Sequence, residues 1–381
     1  MAKNGNGEGS IYEHKRNGKK VGYRGAYTVY SVQGSKRRYV TGKTREEVRQ
    51  KLTKAIADRD GGLVFNAEGL IVGGYLERWL KDAVQGTVRQ STYEVYGHMI
   101  HPHIVPGLGR LKLKNLTPAH VRAFYRDRLN SGLSPATVHK MHVVLHKALD
   151  GAVSDGLIPR NVAKGVKVPQ ASAKRKEIRP LTPDQARSLL EAARGDRLEA
   201  LFVLALTTGL RQGELLALTW EDVELEDAVL RVRRTITRSG GKVDVGPPKT
   251  NKSRRSVGLT ASAVEALRDH LARQLEEMER IGSLYRPGGF VFANESGGII
   301  NPSNLRNRSF ARLLKRAGLP KIRFHDLRHT CATLLLSHNV NPKIVSEMLG
   351  HSSIAITLDT YSHVLPTMQE NAVRALEDAL R

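Results

Sequence analysis

Residues 321–364 read KIRFHDLRHTCATLLLSHNVNPKIVSEMLGHSSIAITLDTYSHV, and their spacing predicts three short helices in succession. His325 and Arg328 stand three apart and share one helical face, whereas Leu327, Cys331, Leu334 and Leu335 form the opposite, apolar stripe. A helix over 325–337 would therefore sink its back into a core and present an imidazole and a guanidinium together. Gly350 is placed to cap a second helix over 342–349. His351 follows directly, and Tyr361 comes ten positions later, at the end of a third helix over 352–360.

Upstream, Thr207–Leu218 reads TTGLRQGELLAL. The apolar stripe Leu198, Leu201, Phe202 and Leu206 leads into it, Gly209 breaks that helix, and Arg211 opens the next with Glu214 three residues on, on the same face. With this stretch, the 321–364 segment resembles the catalytic core of the tyrosine recombinases, the phage-integrase family of site-specific DNA strand exchangers. The resemblance extends well over 70–381 and loosely over 1–65. It implies a multidomain fold: a small α+β sheet-plus-helix module, an all-α core-binding domain, and a mainly α catalytic domain with a small antiparallel sheet.

Breaking and rejoining a phosphodiester without metal or nucleotide needs charge neutralisation on the phosphate, a nucleophile that forms a covalent intermediate, and a proton donor for the leaving 5′-oxygen. On the family pattern Arg211 and Arg328 are the charge clamps, since planar guanidinium forks match phosphate oxygens and do not deprotonate. Glu214 orients Arg211. Tyr361 is the nucleophile, a weak one given a phenol pKa of ~10, and His325 is its general base. His351 bonds the scissile phosphate. Lys249, in Pro248-Lys249-Thr250, takes the β-hairpin lysine position and protonates the 5′-oxygen, with Lys242 and Lys252 as neighbouring candidates. All six catalytic positions carry the expected residue types, and no cofactor or metal is implied. Nothing resembles a P-loop, a metal–carboxylate cluster or a Rossmann fingerprint.

Composition points the same way. The 381 residues suffice for two or three domains, and a net charge of +24 with pI near 10.2 favours a polyanionic partner, because clustered Lys and Arg release counterions from phosphates. The single cysteine, Cys331, excludes an internal disulfide and fits a reducing cytoplasm. The start MAKNGNGEGS has no apolar core, and no apolar run spans a membrane.

Residues 1–65 are strongly basic, with 15 Lys and Arg against 6 Asp and Glu in the first 60. Tyr23–Val32 and Lys36–Thr41 read as a hairpin turning at Gln33-Gly34-Ser35; Thr44 and Glu47 make a capping box before the stripe Val48, Leu52, Ile56. This predicts a basic sheet face of Arg24, Lys36, Arg37 and Arg38, which in the family's longer members holds arm-type DNA sites. Residues 70–167 read as helical, with stripes Val72/Leu76/Trp79/Leu80, Tyr93/Tyr96/Ile100, Val121/Phe124/Tyr125/Leu129 and Val138/Met141/Leu145/Ala148. Thr117-Pro118 and Ser134-Pro135 mark two starts. The aromatics read as core, while Lys140 and Lys147, off the stripe, are candidate phosphate contacts. Residues 168–180 read as a basic linker, and 181–381 as the catalytic domain. Strands are expected at 229–237 and 254–259, and helices at 261–280, 302–316 and, as a tail, 367–380, with Met368, Val373, Leu376 and Leu380 on one face.

The resemblance implies the integrase of a temperate phage or integrative element: a homotetramer on core-type and arm-type sites in double-stranded DNA, aided by an excisionase and a DNA-bending protein, nucleoid-associated in a bacterial cytoplasm. The rivals are a housekeeping chromosome-dimer resolvase, a type IB topoisomerase and a non-cutting DNA-binding regulator.

Overall fold

Strands β1 (Ser10–Arg16), β2 (Lys19–Ser31) and β3 (Gly34–Gly42) form an antiparallel sheet in that order, and α1 (Arg45–Asp60) covers one face of it. The computed structural model describes residues 9–31, 34–60, 69–168, 179–240, 242–248, 254–361, 373 and 376–381. Two compact units divide the chain, Met1–Ala173 and Lys174–Arg381.

Thr44 caps α1 by accepting from the Glu47 amide at 3.1 Å, and the Glu47 carboxylate accepts from the Lys43 amide at 2.8 Å. Val48 and Leu52 are buried against the sheet. Gly25 is needed here, since a Cβ would meet the Val40 and Val48 side chains at 2.9 and 3.0 Å. β1 was not expected from the sequence: it is a largely exposed edge strand, held by backbone pairing with β2 rather than by an alternating apolar face.

The expected single basic face is corrected by the register. Neighbouring strand residues point to opposite faces, and Arg37 pairs with Thr28 whereas Arg38 pairs with Tyr27. Arg24 and Arg37 therefore share the open face with Tyr39, over whose ring the Arg24 guanidinium sits at 5.3 Å. Arg38 belongs to the helix-covered face, as does the backbone position of Lys36, which pairs with Val29.

The helices of the first unit are α2 (Val72–Arg78), running on as a π-helical turn through Trp79–Val84; α3 (Gln90–Met99), continued by a π turn and α4 (Val105–Leu108); α5 (Pro118–Asn130); and α6 (Pro135–Ser154). Thr117 and Ser134 cap α5 and α6. The core joins Leu76, Trp79, Ile100, Phe124, Tyr125, Met141 and Leu145. Tyr96 stacks on Trp79 with centroids 5.9 Å apart.

In the second unit come α7 (Pro183–Ala193), α8 (Glu199–Thr208), α9 (Gln212–Leu215), β4 (Val223–Glu224), β5 (Val229–Val232), β6 (Thr235–Ser239), β7 (Lys242–Gly246), β8 (Arg255–Gly258), α10 (Ala261–Ile281), α11 (Pro302–Asn304), α12 (Ala311–Arg316), α13 (Asp326–Ser337), α14 (Pro342–Leu349) and α15 (Ile354–Tyr361). α8 is buried nearly all round and forms the centre of the core with Leu189, Leu267, Phe292, Phe310 and Leu327. The strand expected over 229–237 is two strands in different sheets, β5 with β4 and β8, β6 with β7. Arg233 and Arg234 lie at the break, where Arg234 Nη2 donates to buried Asp222 at 2.9 Å. Most of the expected tail helix lies outside the described residues; Val373, Leu376 and Leu380 are exposed. No helix among the described residues is long and apolar enough to cross a membrane.

Candidate active site

Arg211 is the N-cap of α9, and its side chain is fixed from two sides. Nη1 donates to Glu214 Oε1 at 2.9 Å, and Nη2 donates to the Gly350 carbonyl at 3.2 Å. Glu214 in turn accepts from Arg255 Nη2 at 2.9 Å, and Arg255 Nε donates to the Met348 carbonyl at 2.6 Å. One buried carboxylate thus joins α9, β8 and the end of α14. Burial alone would raise the Glu214 carboxyl, but Arg255 and then Arg211 outweigh it and hold it below the usual range. Gly350 ends α14 at φ 66°, and a Cβ there would meet Arg255 Nη1 at 2.9 Å, so glycine suits both the turn and the packing.

Arg328 is 3% exposed. Its Nη1 donates to the Gly209 carbonyl at 2.9 Å, and its Nη2 is buried with no hydrogen-bond partner among the described residues. Gly209 ends α8 at φ 61°, and a Cβ there would lie 2.5 Å from Leu349 Cδ2. Burial, and secondarily Arg211, pull the Arg328 guanidinium down to about 9, still cationic at neutral pH. A buried cation with an unused donor is an anion site in waiting.

Three imidazoles and one phenol complete the group. His325 stands at the start of α13 on the exposed rim, and its ring meets that of His329 edge-on at 5.0 Å. His329 Nδ1 accepts from the Tyr361 hydroxyl at 2.9 Å, the phenol being the better donor toward a neutral imidazole. His351 Nδ1 shares a hydrogen bond with Thr357 Oγ1 at 2.7 Å. Partial burial, then Arg328, lower the His325 pKa. Burial and His325 take His329 to about 4, and burial with Arg328 and Arg211 takes His351 to about 4. His329 and His351 are therefore neutral at neutral pH, and His325 is shifted in the same direction. Tyr361 is 1% exposed among Ala332, Leu336, Val345 and Leu349, and burial pushes its phenol up to about 12.

The structure thus gathers Arg211, Glu214, Arg328, His351 and Tyr361 with His325 at the edge. Lys249 and Lys252 lie outside the described residues, as does the side chain of Lys242. In the first unit Lys140 is exposed, and Lys147 sits over the Tyr96 ring at 5.5 Å. Sequence reasoning missed Arg255, His329 and Thr357. His329 was findable, standing one helical turn after His325; Arg255 was not, because only the tertiary fold brings β8 to Glu214. His325, the expected base for Tyr361, stands at the rim, and the hydroxyl itself bonds His329.

Residues 179–368 match the family described as phage integrase, and residues 72–129 match the phage integrase N-terminal SAM-like domain. The chain is similar to a tyrosine recombinase XerC-like protein of Caldanaerobacter subterraneus subsp. tengcongensis, with 34% identity over 383 residues, 95% of this chain and 97% of that one. An integrase of Streptomyces ambofaciens is 32% identical over 346 residues, 87% of each chain. In fold it is similar to the Tn1549 transposon integrase solved with a circular intermediate DNA, at a TM-score of 0.68 and 23% identity, covering 82% of this chain and all of that one. Matched in both units and along nearly its whole length, the chain belongs to the phage integrase family of tyrosine recombinases.

Proposed function

We propose that the chain integrates and excises a mobile element by cutting and rejoining double-stranded DNA through a 3′-phosphotyrosyl intermediate. The observation that carries this is the buried Nη2 of Arg328, which has no hydrogen-bond partner among the described residues, in the same group of side chains as Arg211, His351 and Tyr361. Arg211 and Arg328 bind the non-bridging oxygens of the scissile phosphate and stabilise the charge that builds up on them. The Tyr361 oxygen attacks phosphorus as its proton passes to His325, and the bond to the 5′-oxygen breaks as Lys249 protonates it. His351 hydrogen-bonds the phosphate. The phosphotyrosyl bond conserves the energy of the one broken, so a 5′-hydroxyl from the other duplex reverses the step without ATP.

The remaining parts follow the family: 1–65 binds arm-type sites, 70–167 core-type sites, 168–180 links them to the catalytic 181–381, and four copies assemble on two duplexes with an excisionase and a DNA-bending protein, in the nucleoid of a bacterial host. The open sheet face with Arg24, Arg37 and exposed Tyr39 supports the arm reading. Likeness to the XerC-like relative favours a second reading, a chromosome-dimer resolvase. Purified protein with two duplexes carrying the sequences that flank its gene tests the first: it should yield exchanged strands, and plasmid relaxation without exchange would indicate a topoisomerase instead.

A further inference from the structure

α15 buries only two of its eight residues, Thr357 and Tyr361, and each ends on an imidazole. Thr357 bonds His351 at 2.7 Å and Tyr361 bonds His329 at 2.9 Å. The rest of the helix faces outward, Ile354, Ile356 and Leu358 included. An eight-residue helix is marginal by itself, so these two attachments decide where it rests. In that rest position the phenol is shut away: Ala332, Leu336, Val345 and Leu349 surround the ring, and the one oxygen that would react is spent on His329. An attacking oxygen must come to ~3 Å of its target, and a phosphate within a duplex cannot enter an apolar seat already filled by the ring.

We propose that His329 is the positioning residue of the nucleophile: it latches the Tyr361 hydroxyl in a buried seat, and strand cleavage requires this hydrogen bond to break. The inference rests on the reading of Tyr361 as nucleophile. It also separates two neighbouring histidines by role. His329 holds the phenol at rest, whereas His325, exposed at the rim and edge-on to His329, is where the released phenol meets a base. Leaving a buried hydroxyl without its partner shifts an equilibrium by roughly tenfold, so loss of the latch should enlarge the released population by about that factor.

The test uses the full chain and a nicked duplex built from the DNA flanking its gene. His329→Phe keeps the ring volume but removes the acceptor, and His329→Gln keeps an acceptor. The single-turnover rate of covalent adduct formation should rise roughly 5–10-fold in His329→Phe, with an intermediate value in His329→Gln. His325→Ala should move the same rate in the opposite direction. A purely structural role would leave Tyr361 shielded, so nitration of the peptide carrying Tyr361 is followed as well: slow in the wild type, faster in His329→Phe. A slower adduct in His329→Phe with DNA binding intact would make His329 the working base and overturn the latch. Unchanged rates of both reactions would overturn it too. An undiminished adduct in Tyr361→Phe would remove the nucleophile reading itself, and the latch with it.

Discussion

Arg255 donates to Glu214 at 2.9 Å with both side chains almost fully buried, and through that pair β8 is tied to the helix that presents Arg211. Breaking a buried pair from one side costs about 3–5 kcal/mol when the charge left behind is alone, and about 1–3 kcal/mol where a second partner remains, as Arg211 does for Glu214. Arg255→Ala should therefore lower stability by that order in chemical unfolding. It should also slow cleavage in the fraction that stays folded, because Arg211 loses the fixed carboxylate beside it. A variant as stable as the wild type would show that the pair contributes nothing.

Glu214 gives the same node a pH signature. Its carboxyl is held below 4.5 in the fold, since Arg255 and Arg211 outweigh the upward push of burial. A depressed folded pKa stabilises fully above the unfolded value of about 4.3, and the contribution is lost as pH falls through the folded value. Glu214→Gln should thus cost most near neutral pH, and its deficit should shrink as pH drops below about 4. Unfolding midpoints at the two pH values give the comparison; a deficit that grows on acidification would contradict the sign.

Arg211→Ala and Arg328→Ala should leave core-site binding largely intact and lower cleavage by roughly 10² or more, each losing charge stabilisation in the transition state. Arg328 carries the larger structural burden, because it is almost fully buried where it donates to the Gly209 carbonyl at the end of α8. Its Lys variant should bind DNA yet not recover the rate, a single ammonium being unable to span both positions. Gel-shift and single-turnover assays on the same preparations decide it.

The local parts of this architecture were legible in the sequence. Pro118 and Pro135 each follow a capping hydroxyl that the structure uses, and the stripes of the first helical unit enter its core. Less was readable where pairing replaces patterning. β1 has no apolar alternation, the strand over 229–237 divides where two arginines meet Asp222, and three consecutive basic residues of β3 cannot share a face. Within the site, motif spacing reached His325, Arg328 and Tyr361. It gave no sign of Arg255, whose partners on α9 and α14 are 41 and 93 residues away.

The three imidazoles should shape the pH dependence of cleavage. Burial and neighbouring cations lower all of them, His329 and His351 to about 4. Measured as kcat/KM, which reports the free enzyme, cleavage should stay level through the ordinary histidine range near 6.5 and fall only at more acidic pH. A half-maximal rate at about 6.5 would mean that the base is fully solvated.

The first sheet should be separable from the chemistry. Its own core, Val29, Val48 and Leu52, lies between the strands and α1. A fragment starting near residue 67 should still nick core sites while losing arm-site affinity and directional integration. The 1–65 fragment should bind arm DNA with strong salt dependence. Equal binding of that fragment to random duplex would end the arm assignment and leave the catalytic one untouched.

If the Tyr361 oxygen attacks the scissile phosphate, Tyr361 should end up carrying the cut strand. The direct measurement is to trap the protein on a nicked core duplex, digest it, and identify by mass the peptide that carries the 3′-phosphate. The label should fall on Tyr361, and Tyr361→Phe should give no denaturation-resistant adduct. A label on another residue, or an undiminished adduct in Tyr361→Phe, would contradict the account.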